Sequence, residues 1–261
     1  MLQRILRRLV LSFAMAIALS ALSHATLATI DLPSGQDGST RSGKMPAEVA
    51  EVLAAIGSGS AAEIKSRLFT NLIYLFTDEY RVQAVKEIHT SIRYHRISGG
   101  NLFRRVKTIF SQVLQLHGRS GTVELFLFKD DLPNAILWRG CVLAISDGLA
   151  DPLYDGELAG IIAHELGHSY FEDEMASALK TKDTRTMKVV ELKCDAVAIL
   201  SLKLLDRNPV LYLKALHQIR EIMRRKGRSS GIFESHPELF ERAQFSQHFI
   251  QTLRSAEAGK R

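Results

Sequence analysis

The stretch AHELGHSY, Ala163 to Tyr170, places His164 and His168 four residues apart, with Glu165 directly after the first histidine. On a helix, residues four apart project from one face. Two imidazoles at that spacing can serve one metal ion, as in zinc metalloproteases, and the neighbouring carboxylate can take a proton from water at that ion. A catalytic zinc needs a third protein ligand and an open position. The metzincin arrangement would require Gly at 171 and His at 174. Those positions hold Phe171 and Glu174, so that class is excluded. The other source of a third ligand is a carboxylate on a following helix. ELKCDAVA, 191 to 198, offers Glu191, with Asp195 one turn later on the same face. Glu191 can ligate, and Asp195 can accept a hydrogen bond from the far nitrogen of a ligand histidine, which fixes that ring's tautomer and direction. Cys194 is a competing donor, read here as a core thiol.

Elements must hold these residues in place. From Asp155 onward the pattern is helical: Asp155 can cap, Glu157 suits the positive end, and Leu158, Ile161, Ile162, Leu166 and Phe171 supply apolar contacts. A helix from about Thr186 to Leu205 would carry Glu191 and Asp195. Asn208-Pro209 opens another, and Ser235 with Glu238 reads as a capping box before the last. Upstream, Thr122 to Phe128 is a strand candidate, and Ala135 to Ser146 a second, bent near Gly140. Helical spacing of Ile64, Leu68, Leu72 and Leu75, and of Val106, Ile109, Phe110, Val113 and Leu114, predicts two or three helices over 61–117. The fold class is α+β, with a small sheet beside several helices in one catalytic domain over 61–257.

An apolar content of 46% and a charged content of 24% are those of an ordinary globular protein. The N-terminus differs. Arg4, Arg7 and Arg8 precede an apolar run, Leu9 to Leu22, and no acid appears before Asp31. A basic head, a short apolar middle and small residues near 25–28 fit a secretory signal over 1–25. The rival is an uncleaved anchor, for which the run is short. Residues 26–60, rich in Gly, Ser and Pro between Asp31 and Pro46, read as a flexible linker, with a short helical candidate just before a second break at Gly57 to Ser60. Without the three leader arginines the net charge of +6 falls to about +3. That mild balance argues against a nucleic-acid partner. The dense basic cluster Arg224, Arg225, Lys226 and Arg228 reads as a solvated loop. The two cysteines, Cys141 and Cys194, leave one disulfide open as a question.

DGELAGIIAHELGHSY, then ELKCDAVA, then SHPELFERA resemble the successive motifs of the HtpX- and BepA-like zinc endopeptidases, which include the CAAX prenyl proteases (peptidase family M48). Upstream, PNAILWRGCVLAISDGL, 133 to 149, is similar to that family's strand before the metal helix, although Trp138 and Arg139 replace its Gly-rich centre. The resemblance covers roughly Thr122 to Ala243. It implies a zincin-like, gluzincin-type fold whose edge strand, within 137–146, pairs with an extended polypeptide substrate. It also implies one zinc per chain held by His164, His168 and Glu191, with Glu165 as general base. His236, in SHPE, would face the zinc, either stabilising the oxyanion or occupying the metal's fourth position in a latent enzyme. With the leader, the resemblance implies an exported enzyme of the periplasm or cell envelope, membrane-proximal in one version, acting on misfolded or misassembled proteins. A catalytically idle zinc-stabilised chaperone or scaffold of the same fold is the alternative, and a scaffold would not need Glu165.

Overall fold

The computed structural model describes residues 45–69, 77–91, 95–227, 237 and 239–258. The segment expected to be a leader, residues 26–44, Leu72, Leu75, Arg228, Ser235, His236 and Glu238 lie outside the described residues. The chain opens with helices α1 (Ala47–Ile56), α2 (Ala61–Leu68), α3 (Asp78–Ser91) and α4 (Gly100–Leu116). Within the expected linker, 47–56 is therefore helix. Val49, Val52 and Ile56 recur at helical spacing and are buried. Burying that stripe outweighs the loop-forming composition around it, so 47–56 is the short helix expected before the break at Gly57, inside the span read as linker.

Strands β1 (Glu124–Phe128), β2 (Ala135–Trp138) and β3 (Val142–Ser146) form one mixed sheet in the order β1-β3-β2. β3 runs parallel to β1 and antiparallel to β2. The single bent strand expected over 135–146 is thus a hairpin. Arg139 and Gly140, with φ of 49° and 67°, both take the left-handed conformation, and Cys141 N–H donates to Trp138 O at 3.1 Å. Trp138 pairs with Val142, so residues 139–141 connect the strands; left-handed residues in such a turn match the twist of paired strands, at a cost of about 1 kcal/mol at a non-glycine residue. Arg139 is held there by Glu87 of α3, at 2.6 Å.

Both faces of the sheet are covered, which explains the unbroken apolar runs of β1 and β3. Leu125, Leu127, Leu143 and Ile145 join the main core, while Phe126, Phe128, Ile136, Val142 and Ala144 pack with Ala84 and Ile88 of α3. β3 is central and fully buried, so the edge strand of the expected 137–146 region is β2 alone. Trp138 O and Asn134 O accept from Cys141 and Ser146 on the β3 side. Since backbone groups alternate along a strand, Ala135 and Leu137 turn theirs to the outer edge.

After β3 come the short α5 (Asp147–Ala150), α6 (Asp155–Gly167), a 3-10 turn (His168–Tyr170), α7 (Glu172–Thr181), α8 (Thr184–Leu204), α9 (Val210–Arg225) and α10 (Leu239–Ala258). The cap of α6 is not Asp155, whose carboxylate takes Arg105 Nε at 2.7 Å. Glu157 folds back instead to accept Tyr154 N–H at 2.8 Å. α8 is the central helix: α1, α2, α4, α6, α7, α9 and α10 all pack against it. Among the described residues no helix is long and apolar enough to cross a membrane. Overall the described chain is an α+β protein, mostly helical with one small sheet.

Candidate metal centre

α6 and α8 cross closely because Gly167 has no side chain. A Cβ there would lie 3.1 Å from Cys194 Cα, so a larger residue would push the helices apart. The crossing sets Glu191 beside the histidines. His164 lies in the last turn of α6, and His168, just past its end, keeps helical backbone angles (φ −56°, ψ −29°), so the four-residue projection persists. Nε2 of His164 is 3.5 Å from Glu191 Oε2, and Nε2 of His168 is 3.7 Å from Glu191 Oε1. One donor atom from each of the three lies within 4.8 Å of the others. The imidazoles meet edge to face, centroids 5.1 Å apart.

The supports of these donors reach beyond the two helices. His164 Nδ1 is 3.0 Å from Asp195 Oδ1, where the one-turn spacing from Glu191 placed it. Asp195 is gripped in turn by Arg242 of α10, with Nε to Oδ2 at 2.8 Å and Nη2 to Oδ1 at 2.5 Å. Tyr212 of α9 enters the same cluster through its hydroxyl. No motif flagged Tyr212. The available signal was Gly156 and Gly160, four apart on α6, which let α9 approach: a Cβ at Gly160 would sit 3.2 Å from Tyr212 Cδ2. Cys194 Sγ lies 3.5 Å from Nδ1 of His168, on the side away from Glu191. Burial pushes that thiol well up, so it remains the core thiol expected rather than a thiolate ligand. Cys141 is also free and buried.

The electrostatics are those of a place for a cation. Burial opposes charge on His164, yet hydrogen bonds to Asp195 and Glu191 outweigh it and hold its pKa up at about 9. Carboxylates that draw a proton onto a buried imidazole offer the same attraction to a metal ion, which would replace that proton. Burial pushes Glu165 up to about 7, opposed first by the His164 charge, aided by the Glu191 charge, and opposed again by a backbone hydrogen bond from Leu137. A carboxyl poised near neutrality can both accept and return a proton. The donor set, two imidazoles and a carboxylate, fits zinc.

Around the centre, buried Arg119 ties the 3-10 turn to the hairpin, with Nη1 to Ser169 Oγ at 2.5 Å and Nη2 to Gly140 O at 2.9 Å. Both the edge strand and the metal helix are therefore referenced to one guanidinium.

Residues 101–194 match the family model of peptidase family M48. This segment is similar to the M48 peptidases. Members of M48 are zinc metallopeptidases, and the matched segment runs from α4 through the sheet and α6 into α8. It contains His164, Glu165, His168 and Glu191 and stops one residue before Asp195. Tyr212 and Arg242 lie beyond it, and His236 lies outside the described residues.

Proposed function

We propose that the chain is a zinc-dependent metalloendopeptidase with one zinc held by His164, His168 and Glu191. The observation that carries this is the convergence of those three donors beside Glu165 within a segment similar to the M48 peptidases. When bound, zinc would supply Lewis acidity, lowering the pKa of a water and polarising the scissile carbonyl. The remaining work belongs to the chain. Glu165 takes the water's proton on its carboxylate and delivers it to the leaving amide nitrogen. Asp195 and Arg242 hold His164 in place. The outward N–H and C=O groups of Ala135 and Leu137 pair with an extended polypeptide, adding it as a strand beside β2. Leu137 N–H, engaged by Glu165 in the free protein, lies where edge and base meet. The SHPE motif supports His236 as a further donor to the oxyanion, and the zincin-like arrangement of sheet and metal helix rests on the same family likeness.

The leader supports export to the cell envelope, where misfolded or misassembled proteins are the substrates that strand addition favours, since they expose extended backbone. The test is metal analysis of the purified chain, followed by cleavage of unfolded casein with and without chelator. One equivalent of zinc and chelator-sensitive cleavage is the expected result. A metal-loaded chain that cleaves no unfolded protein would instead be the idle scaffold.

A further inference from the structure

Tyr212 stands outside every motif behind the reading above, yet its hydroxyl meets three groups of the metal centre's support. It lies 2.8 Å from His164 Nδ1, 2.5 Å from Asp195 Oδ1 and 2.5 Å from Arg242 Nη2. The side chain is fully buried, and its ring stacks near His164 at 5.9 Å between centroids. Counting protons assigns each bond. Arginine can only donate, and a carboxylate can only accept. The one hydroxyl proton therefore goes to Asp195, and the oxygen accepts from Arg242. Its remaining acceptor capacity faces His164 Nδ1, which must then carry hydrogen. A neutral ring with its proton on Nδ1 has its lone pair on Nε2, the atom 3.5 Å from Glu191 Oε2. The reverse arrangement, with Tyr212 donating to Nδ1, would place the ring proton on Nε2 and close that atom to a metal.

We propose that Tyr212 is a positioning residue of the metal centre: its hydroxyl, donating to Asp195 and accepting from His164 Nδ1–H, holds His164 in the tautomer that presents Nε2 to the ion. The inference rests on the metallopeptidase reading and deepens it. The fold makes room for this contact. A Cβ at Gly156 would fall 2.4 Å from Leu211 Cδ1, so the glycines of α6 open a seat for the start of α9. Aspartate alone would leave the imidazole free to swing about its single acceptor, whereas two acceptors fix its plane.

The Tyr212→Phe variant keeps the ring against Gly160 and removes only the hydroxyl. The full chain is compared with wild type by zinc affinity in chelator competition, by the visible spectrum of the cobalt-substituted protein, and by melting of the metal-free form. A positioning role predicts zinc affinity about ten- to a hundredfold weaker. It also predicts an altered cobalt spectrum, while the metal-free protein still folds. Wild-type affinity and an unchanged spectrum would overturn it. If the variant fails to fold, nitrogen-15 spectra of the zinc-loaded wild type decide, with His164 assigned by its loss in His164→Gln. Metal on Nε2 with a proton on Nδ1 supports the proposal, and metal on Nδ1 refutes it. A wild-type chain that binds no zinc overturns the metallopeptidase reading and this one with it, while a normal Tyr212→Phe centre removes only Tyr212.

Discussion

Glu165 and Glu191 are both buried carboxylates at one centre, but they face different partners and their loss should read out differently. Glu165 receives Leu137 N–H and belongs to no pair among the converging donors. Glu165→Gln should therefore keep zinc and fold while proteolysis falls by more than about a hundredfold, since nucleophile formation and leaving-group protonation both depend on it. Near-normal turnover of a model substrate would remove it as the base. Glu191→Ala should cost metal as well as activity, because two imidazoles alone hold zinc weakly. Asp195→Asn should be milder, about ten- to a hundredfold, as it acts through His164. Equilibrium dialysis of the two variants against zinc would expose reversed roles if the asparagine variant released more metal.

At the scale of elements, close helix and loop passages fall at glycines, and they differ in what stands opposite. Gly148 starts α5 beneath the 130–131 backbone: a Cβ there would lie 2.5 Å from Asp130 O and 2.6 Å from Asp131 C. Backbone cannot step aside as a side chain can. Gly148→Ala should cost about 3 kcal/mol. Gly160 differs, because its nearest atoms belong to the side chains of Tyr212 and Leu202 at 3.2 and 3.3 Å. Gly160→Ala also gains about 1 kcal/mol of helix propensity, so the net change should stay within about 1 kcal/mol. Urea unfolding of both variants tests the order, and a more damaging Gly160→Ala would refute this account of the packing.

Across the whole molecule, the helical layers are pinned by His117, where α4 ends. Its Nδ1 lies 2.8 Å from Tyr170 Oη in the 3-10 turn, and its Nε2 lies 2.9 Å from Ser201 Oγ in α8. Ser201 donates to Val197 O, so it accepts from Nε2–H, and Nδ1 accepts from Tyr170. The ring also stacks on Phe69, at 4.3 Å, just past the end of α2. Burial first, then the charges of Lys65 and Arg119, lower its pKa from 6.5 to about 3. Between those values the unfolded chain holds a proton that the folded one refuses, so stability should be full above pH 6.5 and fall as the pH drops toward 3. The slope approaches about 1.4 kcal/mol per pH unit. Denaturant titrations at pH 7.5 and 5 should show a smaller acid loss in His117→Gln than in wild type; equal losses would remove His117 as the source.

The HELGH spacing by itself determined that two imidazoles share a face, and ELKCD that Asp195 follows Glu191 by one turn, because both follow from the 3.6-residue period within a single helix. The α+β class was legible for the same reason, in the switch from period-3.6 stripes to short apolar runs. Tertiary structure alone decided which strand is the edge: the hairpin at Arg139–Gly140 makes β3 central and β2 outer, a matter of pairing across the chain that the near-uniform apolar run of 135–146 does not encode. Likewise, Tyr212 and Arg242 converge on Asp195 from 17 and 47 residues away, where no local period reaches. The bonds that aim His164 are set by where helices α9 and α10 dock, and docking follows from burial summed over the whole core rather than from the spacing of any few residues.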